Sequence, residues 1–436
     1  MQVTLSVLAD ILSTSKSNII QRVRKGLLSP VNPNQGDEKY LKFDLSKLDH
    51  ISIVHEMLNS NALNEMSTEP LREYTCLELF AGAGGLAIGL ERSGFETILL
   101  NEIDKSAAKT LKKNRPNWNV IDEDISNVDF SDYLNKIDLL SGGFPCQAFS
   151  YAGRKLGLED TRGTLFFEFA RAVNETQPKV FLAENVRGLL NHDGGQTFSI
   201  IKDIIKEIGY TLVDYDVLKA IFYRVPQKRE RLILIGVRND LLKENHPFKM
   251  PSKHDSIYTL QDAFYKGALY DQDVPRSPGQ TYPDRKKEIL QNVPQGGYWR
   301  DLSEELQKEY MKGSFYLGGG KTGMARRLSL EEPSLTLTCA PAQKQTERCH
   351  PIDTRPLTVR EYARIQTFPD DWKFEGTITS QYKQIGNAVP CNLAERVGNS
   401  IIAMLNAMED DKLYAGFLKQ DDEFKQESLF DEDDLI

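Results

Sequence analysis

From residue 73 onward, apolar runs of strand length alternate with stretches of helical period. YTCLELF, ETILLNE, KIDLLSGG, PKVFLAE, TLVDYDVLK and RLILIGV are near-continuous in aliphatic residues, as strands buried on both faces must be. LAIGLERSG and TFSIIKDIIKEIG carry apolar residues three and four apart and predict helices between the strands. The alternation predicts an α/β fold with a doubly wound, Rossmann-like parallel sheet over residues 73–237. Between 238 and 354 it fails, Pro, Gly and Tyr rise, and no helical period persists, so a smaller irregular domain is expected there. TVREYARIQ (358–366) and NLAERVGNSIIAMLN (392–406) restore the helical period, which returns 355–408 to the sheet domain.

Residues 1–58 read as a small separate module, followed by a linker at 59–72. LSVLADIL predicts a short helix; a polar turn and a second helix follow, with Lys16, Arg22, Arg24 and Lys25 on its polar face and Ile19, Ile20 and Val23 facing inward. A Pro/Asn/Gly stretch and a strand, KYLKF, complete a pattern that resembles a winged helix-turn-helix of the MerR type. That resemblance implies contact of residues 16–25 with DNA, the gene's own promoter included. A helical cap on the main domain would show the same pattern.

Length and composition refine this picture. At 436 residues the chain has room for two or three domains, and no apolar run reaches the roughly 20 residues of a membrane span. The N-terminus lacks a basic start followed by an apolar core, so no secretory signal is expected. Five cysteines without a CxxC pair argue against a disulfide framework or a zinc knuckle. Taken whole, the net charge of -9 opposes a nucleic-acid partner. Its distribution removes that objection. Residues 409–436 carry eleven acids and three lysines, a run expected to be disordered, whereas 224–360 hold 23 Lys+Arg against 17 Asp+Glu.

The candidate chemistry lies at strand ends. Gly82, Gly84 and Gly85 in LELFAGAGG allow a tight turn and close backbone approach before a helix. Glu102 ends the next strand and can bind the two hydroxyls of a ribose; nicotinamide, flavin and S-adenosylmethionine would all be served. Cys146, in GGFPCQAFS, follows Pro145 at the carboxyl end of a strand and precedes a glycine-containing stretch, which suits an exposed nucleophile under a hinged loop. Glu184 in AENV ends another strand, and Arg229 and Arg231 in PQKRER enter one. A thiolate, a carboxyl and two guanidinium groups at one sheet edge suit covalent addition to an electron-poor ring.

In order and spacing, FAGAGG, NEIDK, FPCQAFS, ENV, QKRER, RPLTVREYARIQTFPDDW and YKQIGNAVP resemble the motifs of cytosine-5 DNA methyltransferases of the bacterial restriction-modification type. The resemblance covers 74–237 and 355–407, and the interval falls where that family keeps its target-recognition domain. It implies that Cys146 adds to carbon-6 of a flipped-out cytosine, that Glu184 supports ring nitrogen-3 and the amino group, that Arg231 holds the ring oxygen and that Arg229 steadies the loop near the thiol. For S-adenosylmethionine it implies Phe80 against the cofactor and Gly82, Gly84 and Gly85 beside its amino-acid end. Glu102 would take the ribose, Ile103 the adenine face and Asp124 the adenine amino group, with Ile125, Pro145 and Asn387 completing the pocket. Glu123 stands where the family often has glycine, which touches only local backbone geometry. No metal is implied.

Gln147, Arg326, Arg327, Lys344 and Arg348 are the candidate DNA contacts, since Arg and Gln can read guanine and adenine edges. GGGKTG (318–323) is not a phosphate loop, because Phe315 stands where that motif needs glycine, and Cys349–His350 lacks further metal ligands. Gln426, Leu429 and Phe430 in QESLF resemble the peptide by which bacterial replication and repair proteins dock on the sliding clamp. The expected location is the bacterial cytoplasm, at the nucleoid. A regulator built on an inactive methyltransferase body and a transfer-RNA methylase are the competing classes.

Overall fold

The computed structural model describes all residues except 35, 146–164, 243–247, 411 and 414–436. At the N-terminus, β1 (Gln2–Thr4) leads into α1 (Leu5–Ile11) and α2 (Lys16–Arg24), and β2 (Lys42–Asp44) pairs antiparallel with β1. Thr4 and Ser15 are the N-caps of the two helices, accepting from the amides of Val7 and Asn18; α1 ends at its C-cap Leu12, so a short polar turn separates the pair. The helices α3 (Ser52–Leu58) and α4 (Ala62–Glu65) lead to the main body.

The main body begins with β3 (Tyr74–Leu79), α5 (Gly85–Arg92), β4 (Phe95–Asn101), α6 (Lys105–Asn114), β5 (Val120–Ile121) and β6 (Leu139–Gly142). It continues through α7 (Leu165–Thr176), β7 (Val180–Asn185), α8 (Gln196–Glu207), β8 (Tyr210–Lys219), β9 (Gln227–Lys228) and β10 (Glu230–Arg238). Seven of these strands form one sheet in the order β5-β4-β3-β6-β7-β10-β8. The first five are parallel.

The expected all-parallel sheet needs one correction. β10 runs antiparallel to both β7 and β8. Only residues 220–229 join β8 to β10, too few for the crossover of roughly a dozen or more residues that a parallel return requires. The reversal matters for the site, because it brings the start of β10 to the carboxyl ends of its parallel neighbours.

Successive strand residues face opposite layers. Leu140, Phe181 and Leu234 pack with Phe166 and Phe169 of α7 on one side. Leu139, Leu182 and Ile233 pack on the other with Leu393, Val397 and Ile401 of the C-terminal helix. That second cluster also contains Ile11, Phe43, Val54 and Met57. The N-terminal segment is therefore not a separate module; its small core is continuous with the underside of the sheet. Fewer than about 60 residues bury too little surface to stand alone comfortably, and docking supplies the rest.

The segment 238–354, where a recognition segment is expected, contains α9 (Leu260–Phe264), α10 (Asp284–Leu290), α11 (Glu304–Met311) and β11 (Ser334–Leu335). Tyr282, Leu290, Trp299, Tyr310, Met311 and Cys349 form a local core there. β11 pairs in parallel with β9, which ties this segment to the catalytic body. The chain then returns through α12 (Val359–Ile365), α13 (Ile378–Asn387) and α14 (Cys391–Glu409). Among the described residues, no helix is long and apolar enough to cross a membrane.

Candidate active site

The site lies where the parallel strands end. Glu184 is the penultimate residue of β7 and pairs in register with Ile233 of β10. Because β10 starts at this edge, Arg231 sits beside Glu184, with its Nε 2.5 Å from the carboxylate Oε1. Both side chains are nearly buried, each residue 9% exposed. Burial raises the Glu184 pKa and the Arg231 charge opposes the rise. Burial likewise pulls Arg231 down, against the attraction of Glu184. Arginine starts so high that it keeps its proton, so Glu184 is the partner that titrates.

The backbone that leads to Cys146 is pressed against this pair. A Cβ on Gly143 would stand 2.7 Å from Glu184 Oε2, so a larger residue there would push the carboxylate from its place beside Arg231. The Asn185 amide donates to the Phe144 carbonyl at 2.8 Å and pins the same strand-to-loop turn. Pro145 is exposed at the end of this turn. Cys146 and Gln147 lie outside the described residues.

Arg229 has a different place from the one expected. Its guanidinium is 2% exposed and donates to the Gly386 carbonyl at 2.9 Å and the Leu337 carbonyl at 3.3 Å. It therefore ties the end of α13 and the segment after β11 to the catalytic edge, and it acts as a positioning residue. Gln227, which sequence reasoning passed over, does the same work with an uncharged side chain. It donates to Gln366 at 2.8 Å and accepts from the Leu337 amide at 2.9 Å. Gln366 in turn donates to the Ile385 carbonyl at 2.7 Å. QKRER, RIQTF and IGNAV are thus joined by one buried network. Both glutamines lie inside motifs quoted from the sequence; that these motifs were invoked for chemistry concealed their structural role.

A second group surrounds the β3–α5 turn. Phe80 and Gly82 both have a positive φ, +56°, and a Cβ on Gly82 would meet nothing within 4 Å. Gly84 caps α5 in the left-handed conformation. The Glu102 carboxylate accepts from the Gly82 amide at 2.6 Å and the Asp104 amide at 2.7 Å. Each oxygen keeps a lone pair for a further donor. Burial raises its pKa, against these two hydrogen bonds. Ile103 is 63% exposed, an unusual position for an isoleucine at the end of a buried strand. Asp124 is exposed and caps a short turn through Ser126. An open glycine turn, a carboxylate with spare acceptors and a bare aliphatic face fit a ligand that combines an amino acid, a ribose and a purine. Two residues expected here differ. Ile125 is buried in the core beneath Asp124. The Asn387 side chain is exposed and accepts from Cys339 Sγ at 3.2 Å. Among the described residues, no cluster of His, Cys, Asp or Glu could hold a metal ion.

The family model for C-5 cytosine-specific DNA methylases matches residues 74–403. The chain belongs to this family. It is 61% identical to Type II methyltransferase M.Eco47II of Escherichia coli over 92% of this chain and 96% of that protein. It is 59% identical to Type II methyltransferase M.PspPI of Psychrobacter sp. over 93% and 97% of the two chains. In solved structures it is similar to a prophage-encoded E. coli protein described as a DNA modification methyltransferase, with 26% identity, a TM-score of 0.55 and coverage of 77% of this chain and all of that one. The protein is a DNA (cytosine-5-)-methyltransferase.

The methylase uses two of its five candidate DNA-contacting side chains internally. Arg327 is 4% exposed and donates to the carbonyls of Leu290 (2.8 Å) and His350 (3.2 Å) and to the Thr354 hydroxyl (2.8 Å). Arg348 is 6% exposed and donates to the carbonyls of Thr336 (2.6 Å) and Glu347 (2.8 Å). These two guanidinium groups hold an irregular backbone together, which corrects their assignment as base readers. Arg326 and Lys344 are half-buried, near the rings of Tyr298 and Tyr310. The clamp-like residues Gln426, Leu429 and Phe430 lie outside the described residues.

Proposed function

We propose that this methylase transfers a methyl group from S-adenosylmethionine to carbon-5 of a cytosine flipped out of duplex DNA, through a transient bond between Cys146 and carbon-6. The observation that supports this most is the Glu184–Arg231 pair, held at the strand edge beside the backbone that runs into Cys146. The Cys146 thiolate forms a bond to carbon-6, and the ring electrons move toward carbon-5. Glu184, raised by burial, keeps a proton available to nitrogen-3 while the ring is electron-rich. Arg231 holds the ring oxygen. S-adenosylmethionine supplies an electrophilic methyl when bound, and Phe80, Gly82, Glu102, Ile103 and Asp124 would hold it. Loss of the carbon-5 proton to a base then breaks the carbon-6 to sulfur bond, restores the aromatic ring and returns the thiolate.

The relatives' type supports a role in protecting host DNA from a cognate endonuclease. The finer expectations rest on sequence pattern: promoter repression through residues 16–25, clamp docking through Gln426, Leu429 and Phe430, and a bacterial cytoplasmic, nucleoid-associated location.

A labelled-methyl assay on duplex DNA and on transfer RNA tests the reading, with wild type beside Cys146→Ser. Transfer to DNA that is lost in Cys146→Ser and absent on RNA is the expected result. Transfer to RNA alone, or undiminished transfer by Cys146→Ser, would overturn it. Bisulfite sequencing of DNA from cells that express the gene then gives the recognition sequence.

A further inference from the structure

The end of α1 and the α1–α2 turn open onto a cleft beside Arg231. Residues 1–73 lie outside the family match, so the family's catalytic body does not explain them. Yet a cleft of about 660 Å³ is lined on one side by Asp10, Ser13 and Thr14 and on the other by Arg187, Lys219 and Arg231. One wall is the α1–α2 turn, and the other holds the arginine that partners Glu184.

The junction is built from specific contacts. Lys228 of β9 pairs with Asp10 at 2.7 Å and with Glu332 of the recognition segment at 3.2 Å. Lys219 Nζ donates to the Asp10 carbonyl at 2.7 Å and to Ser13 Oγ at 2.5 Å. Ser13 itself has φ +52°, so the turn holds a strained shape at the cleft mouth. Three regions that are distant in sequence therefore meet at Lys228.

The charges at the mouth are unequal. The acids there already have partners: Asp10 pairs with Lys228, and Glu230 with Arg187 at 3.2 Å. Burial works against the Glu332 carboxylate, but Lys228 and Lys16 hold its pKa below the usual value. Among the described residues, Lys219 donates to oxygens that carry no formal charge, and Lys16, Arg22 and Lys25 form no ion pair; on α2 only Arg24 is paired, with Glu38 at 2.8 Å. Lys16 is exposed, but protein crowds it and lowers its ammonium pKa; Glu332 opposes this, and Lys228 and Arg326 add to it. A polyanion is the partner that such a rim lacks.

We infer that the α1–α2 turn forms part of the substrate-binding cleft, and that it and the basic side chains of α2 beside it contact the phosphate backbone of the duplex that flanks the target cytosine. This rests on the DNA methylation reading above. The N-terminal segment then works in methylation itself, on the same DNA molecule, instead of acting only on a distant operator.

The test uses full-length protein and a short duplex that carries the methylation site found by bisulfite sequencing, without promoter sequence. Two variants are compared with wild type: Lys16→Glu, and the triple K16A/R22A/K25A. A carboxylate in the first turn of a helix is favourable, so Lys16→Glu does not threaten α2 itself. Filter binding and steady-state methyl transfer are both measured across a salt series. We expect the triple variant to bind the duplex about five- to tenfold more weakly, most of the loss to appear in KM, and the slope of log K against log salt to fall by about two to three. Lys16→Glu should weaken binding severalfold alone. Target affinity and salt slope unchanged in both variants would overturn the inference. So would loss of promoter binding with target binding intact, which would make α2 an operator reader only. Failure of wild type to methylate any DNA would instead sink the reading on which this one rests, and filter binding would still report the surface.

Discussion

The catalytic edge and the recognition segment both gather arginines, and they use them in opposite ways. At the edge, Arg231 faces an acid beside a cleft, and one partner of the pair can change its protonation state. In the recognition segment, Arg327 and Arg348 face backbone carbonyls. The difference follows from what surrounds them. The edge is framed by strands that satisfy their own backbone. The recognition segment has few such elements, and the terminal guanidinium nitrogens of these two arginines stand in for the missing ladder. A positive count over 224–360 therefore does not equal a positive surface.

Removal of the carboxyl gives the largest expected effect. Glu184→Ala should lower kcat by about 10²- to 10⁴-fold, with little change in the fold; near-normal single-turnover rates would break the comparison. Its pH profile is also informative. Since burial raises Glu184, wild-type turnover should decline as pH climbs through its raised pKa, on an alkaline limb that Glu184→Gln lacks.

Next comes the pair of arginine truncations. Arg327→Ala should cost about 2–4 kcal/mol in urea denaturation, because it strands buried carbonyls that cannot neutralise themselves. Arg231→Ala should cost under about 1 kcal/mol, because Glu184 can take up a proton, although methyl transfer should fall steeply. Equal stability losses in the two variants would show that the contrast is wrong.

The smallest effect concerns Glu78 of β3. It is fully buried; burial raises its carboxyl pKa well above the ordinary value, and the charge of Glu102 adds to this. A group whose folded pKa is raised contributes stability below its unfolded pKa, and that stability is lost as pH rises toward the folded value. Glu78→Gln should therefore flatten the decline in stability above the ordinary carboxylate range. A variant with the same pH dependence as wild type would remove Glu78 as its source.

Much of the site was legible in the sequence because its motifs sit at strand ends, where order along the chain maps onto one edge. The β3–α5 turn, Glu102 and Glu184 fall where the alternation of strand and helix placed them. Arg231 was placed at the right edge, but in a wholly parallel sheet the entry of its strand would lie at the opposite one. The short 220–229 connection removes the contradiction, and its length was readable without being used. The roles of Arg229, Arg327 and Arg348 were not legible. A basic residue in an irregular segment looks the same whether its donors meet phosphate or carbonyl oxygen.

By itself, the sequence determined the family, the strand-helix alternation and the residue types at the reacting edge, because these depend on local pattern and on motif order. Tertiary structure decided the direction of β10, the internal use of the recognition arginines and the docking of the N-terminal helices against the sheet. Each of these depends on which distant groups meet: Lys228 with Asp10 and Glu332, Arg327 with Leu290, Phe43 with the underside of the sheet. Charge and periodicity do not encode such meetings, since burial and partner choice arise only when the chain has closed on itself.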